Sequence, residues 1–395
     1  MEIRKLKEND REACQKLSRY AFQTSENSYD DLKYPDAKTP IDFYYGAFEE
    51  GFLFACAGAI PFDIKLRSRD FKMHGVMGIA SKPEYRNRGT IREIMIRMFK
   101  NMYDSNIPVS VLYPFKFSFY EMLGYKLVDE HIFYQFRISD IIYRKTDYHI
   151  KEVVKIGDDI RNVYDKVVSK FDYIAKRPTI DYWRGHFKGN YKFICYKGDQ
   201  PVGYIIMRFS KPDEPWLKSP EKTIQIREVF WLDQEAKQTI FNLLSSHRDQ
   251  RKYIAGTFPA NENIMDLLKT PRILRRIIVD NSMLRVIDVK TILENLEYPL
   301  SDFTLTLHVN DEFCPWNNGY FTLNSMDNTI NVVFKKSSEN IIDIQIDISY
   351  FAQLVAGFRT VNDLLEFGFI TVNNEKLEVI QKLFPKTNNY LHDFF

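Results

Sequence analysis

Short apolar runs alternate with amphipathic stretches through the first third of the chain. Residues 3–6 predict a strand, and Asn9-Asp10-Arg11-Glu12 reads as a helix cap with a glutamate three residues on. Ala13, Leu17, Tyr20 and Ala21 then share one helical face. Apolar runs at residues 52–57 and 71–81 predict two more strands. A basic turn follows, and Ile91, Ile94, Met95 and Met98 recur at helical spacing behind it. Val109, Val111 and Tyr113 predict a strand, Pro114 a break, and residues 118–123 a short helix stopped by Gly124.

The middle of the chain repeats this order imperfectly. Residues 193–196 and 202–208, joined by Lys197-Gly198-Asp199-Gln200-Pro201, predict a hairpin. A strand at 224–231, a helix at 235–246, a strand at 253–257 and a helix at 261–268 complete the parallel. From about Val289 the pattern changes to alternating strands. It is clearest at residues 342–348, where isoleucine occupies every second position, and a helix ending at Gly357 follows. The expected organisation is three segments, 1–138, 139–288 and 289–395, of mixed α/β order.

Composition narrows the classes without naming one. With 45% hydrophobic and 27% charged residues, the chain has the make-up of a globular protein with several cores. A formal net charge of +2 gives no global reason to expect nucleic acid as a partner. No run is long and apolar enough to span a membrane and no signal-peptide core opens the chain, so a cytoplasmic location is expected. Cys14, Cys56, Cys195 and Cys314 lack metal or C-x-x-C spacing, and the seven histidines are scattered. A metal site, a P-loop and a serine-hydrolase elbow are therefore not expected.

One stretch carries specific chemistry. Ile79-Ala80-Ser81 ends the apolar run, and Arg86, Asn87, Arg88, Gly89 and Thr90 form the turn before the helix. A helix starting there aims its unpaired N–H groups and positive dipole end at the loop, and Gly89 allows close approach of an anion. Arg86-Asn87-Arg88-Gly89-Thr90-Ile91 resembles the R/Q-x-x-G-x-G/A loop by which GNAT-superfamily N-acetyltransferases hold the pyrophosphate of acetyl-CoA. Ile91 departs from the Gly or Ala usual at the last position. The segment VSVLYPFKFSFYEMLGYKL is similar to the one that follows the CoA-binding helix in that superfamily, with Tyr120 at the position of the catalytic tyrosine.

The closing segment, with NDEFCPWNNGYFTL and the final NNYLHDFF, resembles the sterol-carrier-protein-like domain that ends proteins of the Eis (enhanced intracellular survival) branch. That resemblance implies tandem GNAT folds followed by the carrier-like domain, the second copy degenerate. At its anion-loop position stands Trp231-Leu232-Asp233-Gln234, whose aspartate would cap the helix and repel a pyrophosphate.

The resemblance further implies acetyl transfer from acetyl-CoA to a primary amine, on a polyamine-like or aminoglycoside-like small molecule or a lysine. Tyr120 would be the acid and the main-chain carboxylate of Phe395 the base. It also implies a trimer or hexamer. Glu26, Asp30 and Asp31 are candidate acceptor-cleft acids or exposed loop charges. Two rivals remain at this stage. One is a non-catalytic acyl-CoA or lipid carrier, disfavoured by Tyr120 and Phe395; the other is aminoacyl transfer from tRNA, disfavoured by Arg86 with Gly89.

Overall fold

The computed structural model describes residues 1–23, 39–177, 187–270, 272–327, 329–338 and 340–393. The chain divides into two compact units: Met1–Val128 with Ser282–Lys386 and Asp393, and Asp129–Asn281 with Thr387–His392. In the first unit the elements are β1 (Glu2–Lys5), α1 (Arg11–Phe22), β2 (Tyr44–Glu49), β3 (Phe52–Leu66), β4 (Arg69–Ser81), α2 (Thr90–Asp104), β5 (Val109–Leu112), α3 (Phe117–Glu121) and β6 (Lys126–Leu127).

The N-cap position of α1 is held by Asp10 and not by Asn9, and Asp10 makes no side-chain bond to the helix. Its carboxylate accepts the Lys7 N–H at 2.8 Å and a forked pair of bonds from Arg4, so a 3-10 turn precedes α1.

The second unit contains β7 (Glu130–Arg137), β8 (His149–Val153), α4 (Asp158–Val168), β9 (Ile174–Lys176), β10 (Tyr191–Lys197), β11 (Gln200–Phe209), β12 (Thr223–Trp231), α5 (Gln234–Ser245), β13 (Tyr253–Pro259) and β14 (Arg275–Asp280). Its sheet runs β14-β7-β13-β12-β11-β10-β8. The helix anticipated at 261–268 is only a 3-10 turn, Met265–Leu267.

The chain then re-enters the first sheet as β15 (Met283–Val286), giving the path β1-β2-β3-β4-β5-β15-β6. The two acetyltransferase-like segments have thus traded a strand. β7, which sequence order places with the first segment, pairs with β13 and β14, while β15 lies between β5 and β6.

The rest of the first unit is α6 (Val289–Asn295), β16 (Phe303–Asn310), β17 (Gly319–Met326), β18 (Thr329–Lys335), β19 (Ile344–Asp347), α7 (Ile348–Val355), α8 (Val361–Glu366), β20 (Ile370–Val372) and α9 (Leu377–Leu383). Its sheet is ordered β18-β17-β16-β19-β20. The strand foreseen at 342–348 is shorter, because the Asp347 carboxylate accepts the Ser349 N–H at 2.9 Å and starts α7.

A buried ion pair, Arg285 with Asp311 at 2.7 Å, links β15 to the loop after β16. Asp311 also accepts the N–H groups of Phe313 and Cys314 and the Asn317 amide, so its charge is matched by several donors. All four cysteines are buried free thiols.

Candidate active site

The centre of the first sheet opens into a wedge. β4 and β5 run parallel and are joined only from Met73↔Val109 to Gly75↔Val111, yet β4 stays paired with β3 as far as Ser81. Beyond Gly75 the β5-facing edge of β4 therefore parts from its neighbour, leaving main-chain groups for a ligand to pair with. Opposite Cys56 to Gly58, β4 carries one extra residue, a bulge where Gly78 has φ 59°. The Tyr44 ring fills the space beside Gly58 and Gly78, so close that a Cβ at Gly78 would lie 2.9 Å from it. Ile79 packs toward the α2 core and Ala80 toward the α1 core, as strand alternation requires, and Ser81 ends the strand.

After β4 a 3-10 turn, Pro83–Tyr85, leads into the basic loop. Asn87 and Gly89 both have positive φ, 62° and 77°, which curls the loop so that α2 begins at Thr90. Among the described residues the N–H groups of Asn87, Arg88, Gly89 and Thr90 donate to no protein carbonyl.

The arginines of the basic turn and of α2 have different partners. Arg88 folds back, donating to the Glu84 carbonyl at 3.0 Å and lying 4.7 Å over the Tyr85 ring, which stacks on Phe54. Arg97 donates to the Ile3 carbonyl and Arg92 pairs with Glu312. Arg86 is exposed and, among the described residues, no side-chain bond engages it. No open space is lost at Gly89, where a Cβ would meet nothing within 4 Å; the glycine serves the backbone angle.

β5 delivers the other half of the site to the same end of the sheet. Tyr120 sits in α3, 3% exposed, with its ring edge-on to Phe115, Phe119 and Tyr125 at 5.5, 5.1 and 6.1 Å. Its hydroxyl has no hydrogen-bond partner among the described residues. Burial, with the neighbouring Tyr125 adding, pushes its pKa well above the usual phenol range, so it stays protonated at neutral pH.

Gly124, at φ 79°, lets the chain turn directly against Arg285, whose Nη1 would lie 2.0 Å from a Cβ there. Tyr125 is anchored below by Ser110 at 2.6 Å.

Phe395 lies outside the described residues, as do Glu26, Asp30 and Asp31. The last described residue, Asp393, is fully buried, and its carbonyl accepts the Tyr113 hydroxyl, one residue past β5. Tyr113 was legible in the sequence only as a strand residue. The bulge had one sequence signal, Gly78, the second of two glycines inside the strand. Among the described residues no cluster suited to a metal ion is found, and no helix is long and apolar enough to cross a membrane.

The parted parallel pair with its bulge, followed by a glycine loop and helix, fits the acetyltransferase resemblance of the sequence. Family comparison agrees. Residues 2–128 and 174–286 each match an acetyltransferase (GNAT) domain, and residues 289–392 match a sterol carrier protein domain. The chain is thus an acetyltransferase with two GNAT domains, a kind of domain that uses acetyl-CoA, followed by a sterol-carrier-protein-like domain.

Three solved structures share the fold along the whole chain. A protein of Enterococcus faecalis V583 described as a "Probable N-Acyltransferase" is 22% identical, with 100% of this chain and 99% of that one covered and a TM-score of 0.87. A GCN5-related N-acetyltransferase from Anabaena variabilis is 20% identical, with both chains fully covered (100% each) and a TM-score of 0.87. Eis1 from Mycobacterium abscessus is 18% identical, again with 100% of each chain covered and a TM-score of 0.81, in accord with the Eis-type resemblance. No curated protein matches the sequence.

Proposed function

We propose that the enzyme transfers the acetyl group of acetyl-CoA to a primary amine of a polyamine-like or aminoglycoside-like small molecule, or of a lysine side chain. The observation that carries this reading is the parting of β4 from β5 beyond Gly75, followed along the chain by the open N–H groups of Asn87 to Thr90 at the start of α2.

Arg86 and those N–H groups hold the pyrophosphate, aided by the dipole of α2. Main-chain groups of Ile79, Ala80 and Ser81 pair with the pantetheine amides as an added strand would, and an N–H at the bulge polarises the thioester carbonyl. The amine, once neutral, attacks that carbonyl carbon. The tetrahedral adduct collapses with cleavage of the C–S bond, Tyr120 gives its proton to the departing thiolate, and the proton that the adduct's positively charged nitrogen loses returns to the tyrosine oxygen. The Phe395 carboxylate takes the proton lost by the ammonium, directly or through water. A terminal carboxyl has an ordinary pKa of about 3.5, so partial desolvation would be needed to make it a competent base.

Glu26, Asp30 and Asp31 are candidate acids for a cationic acceptor or exposed loop charges, and the chain would assemble as trimers paired into hexamers in the cytoplasm. Light scattering tests the assembly, where a 46.9 kDa monomer at micromolar concentration would refute it.

The chemistry is tested by thermal stabilisation with acetyl-CoA, followed by a panel of polyamines, aminoglycosides and lysine peptides monitored for free CoA. Release of CoA with at least one amine is expected. Stabilisation without release across the panel would overturn the choice of acceptor.

A further inference from the structure

The second unit keeps both features that open the first sheet. Its parallel pair β12–β13 is joined only from Thr223↔Tyr253 to Gln225↔Ala255 and then parts. β12 also carries an extra residue at Arg227, since Ile206 faces Glu228 while Met207 faces Ile226. Main-chain groups at a parted, bulged strand need partners. Here one partner is on view: the Arg227 carbonyl is 2.8 Å from Nε2 of His392.

His392 belongs to the closing segment Thr387–His392, which packs as part of the second unit. The Asp172 N–H donates to the Asn388 carbonyl at 3.2 Å and the Tyr390 N–H to the Asp172 carbonyl at 3.3 Å. Asp129 accepts the Leu391 N–H at 3.2 Å, and the Asn281 amide donates to the Leu391 carbonyl at 2.8 Å. Tyr390 is 3% exposed, edge-on to Phe230 of β12 at 6.0 Å and stacked with His392 at 5.5 Å.

A carbonyl only accepts, so Nε2 of His392 carries the proton and Nδ1 accepts from the Tyr390 hydroxyl at 3.3 Å. Beside the segment lies a cleft of about 250 Å³ walled by Phe171, Phe230, Trp231, Phe258 and Asn388. An ordinary chain end is frayed and interchangeable; this one is held by backbone, carboxylate, amide and ring contacts at once.

We propose that Thr387–His392 is a built-in ligand of the second unit. In this copy the bulge that borders the acyl slot of the first is engaged by the chain's own tail, and His392 is the positioning residue that fixes where the last residues begin. The degenerate copy is then a clamp for the terminus. This inference rests on the reading that the Phe395 carboxylate serves as the base.

The test compares His392→Phe, which keeps a stacking ring but loses the donor, with His392→Gln, whose amide can still reach the Arg227 carbonyl. A third protein carries a short flexible extension after Phe395. All are full-length, and each is read by kcat, acetyl-CoA affinity in calorimetry and hydrogen exchange of the tail peptide.

His392→Phe should lower kcat by about ten- to a hundredfold, as misplaced catalytic groups do. Acetyl-CoA affinity should hold, exchange across 387–393 should quicken, and His392→Gln should recover most of the loss. Added to the extended protein, His392→Phe should cost nothing more. Wild-type kcat in His392→Phe while the extension cripples turnover would overturn the clamp and leave the carboxylate reading standing. A harmless extension would instead remove the carboxylate. The clamp would then be judged by exchange alone, where quickened exchange supports it and unchanged exchange overturns it.

Discussion

The two acetyltransferase copies part their central strands in the same way and differ at the helix that follows. In the first, Gly89 at φ 77° precedes α2, and among the described residues the N–H groups of Asn87 to Thr90 donate to no carbonyl. In the second, the Asp233 carboxylate accepts the Ala236 N–H at 2.8 Å at the start of α5 and takes a further bond from Tyr148. A carboxylate in that place uses the donors a pyrophosphate needs and repels its charge. The strand geometry is therefore common to both copies, and the difference between them lies at the helix start. The second copy holds His392 against its bulge, whereas in the first the Tyr120 hydroxyl has no hydrogen-bond partner among the described residues.

The contrast breaks first if that phenol is dispensable. Tyr120→Phe removes one oxygen from a buried ring packed among Phe115, Phe119 and Tyr125, so the fold should survive. Turnover should fall by about 10²- to 10⁴-fold with acetyl-CoA affinity nearly unchanged, as loss of a general acid dictates. Full kcat under conditions where chemistry limits the rate would make Tyr120 a packing residue.

Next comes the loop. Arg86→Glu should weaken acetyl-CoA binding by at least about a hundredfold, through a lost charge-assisted bond and a new repulsion. Calorimetry on the unaltered protein should find one site per chain. Two sites, or binding indifferent to the reversal, would erase the difference between the copies.

The loop and the start of α2 were legible in the sequence because their signals are local: a glycine and a helical apolar face follow each other directly along the chain. The hairpin Tyr191–Lys197 with Gln200–Phe209 was legible for the same reason, its turn residues being adjacent. The exchange of β7 and β15 was not. Alternation in Glu130–Arg137 announces a strand without saying which edge it will join, and pairing partners are far away in sequence.

Apolar spacing at Ile264, Leu267 and Leu268 suggested a helix where only a 3-10 turn forms. There the Asn263 side chain accepts the Met265 N–H, and the turn closes instead of extending. The hold on the tail was invisible too, since no spacing links His392 to Arg227; only the folded bulge brings them together.

A smaller effect sharpens what holds the first site in shape. Gly124→Ala asks a side chain to adopt φ 79° with its Cβ against Arg285, a guanidinium already fixed by Asp311. The left-handed backbone and the contact together should cost about 1 to 3 kcal/mol, read as a lowered midpoint of thermal unfolding. The second copy supplies the control. Gly198 has φ 56° with nothing within 4 Å of its Cβ position, so Gly198→Ala should be destabilising by the backbone term alone. Equal losses at the two glycines would mean that Arg285 moves aside without penalty.

The smallest effect addresses the helix start of the second copy. Asp233→Ala removes the cap on Ala236 and the acceptor for Tyr148, and loss of an N-cap costs about 1 kcal/mol. Thermal unfolding should shift down modestly. Acetyl-CoA binding should stay at one site, because freeing an N–H group creates neither an arginine nor the left-handed glycine that shapes the first loop. If the variant instead gained a second acetyl-CoA site, the aspartate alone would have been the barrier. The remaining sequence of that copy would then be an intact acyl slot.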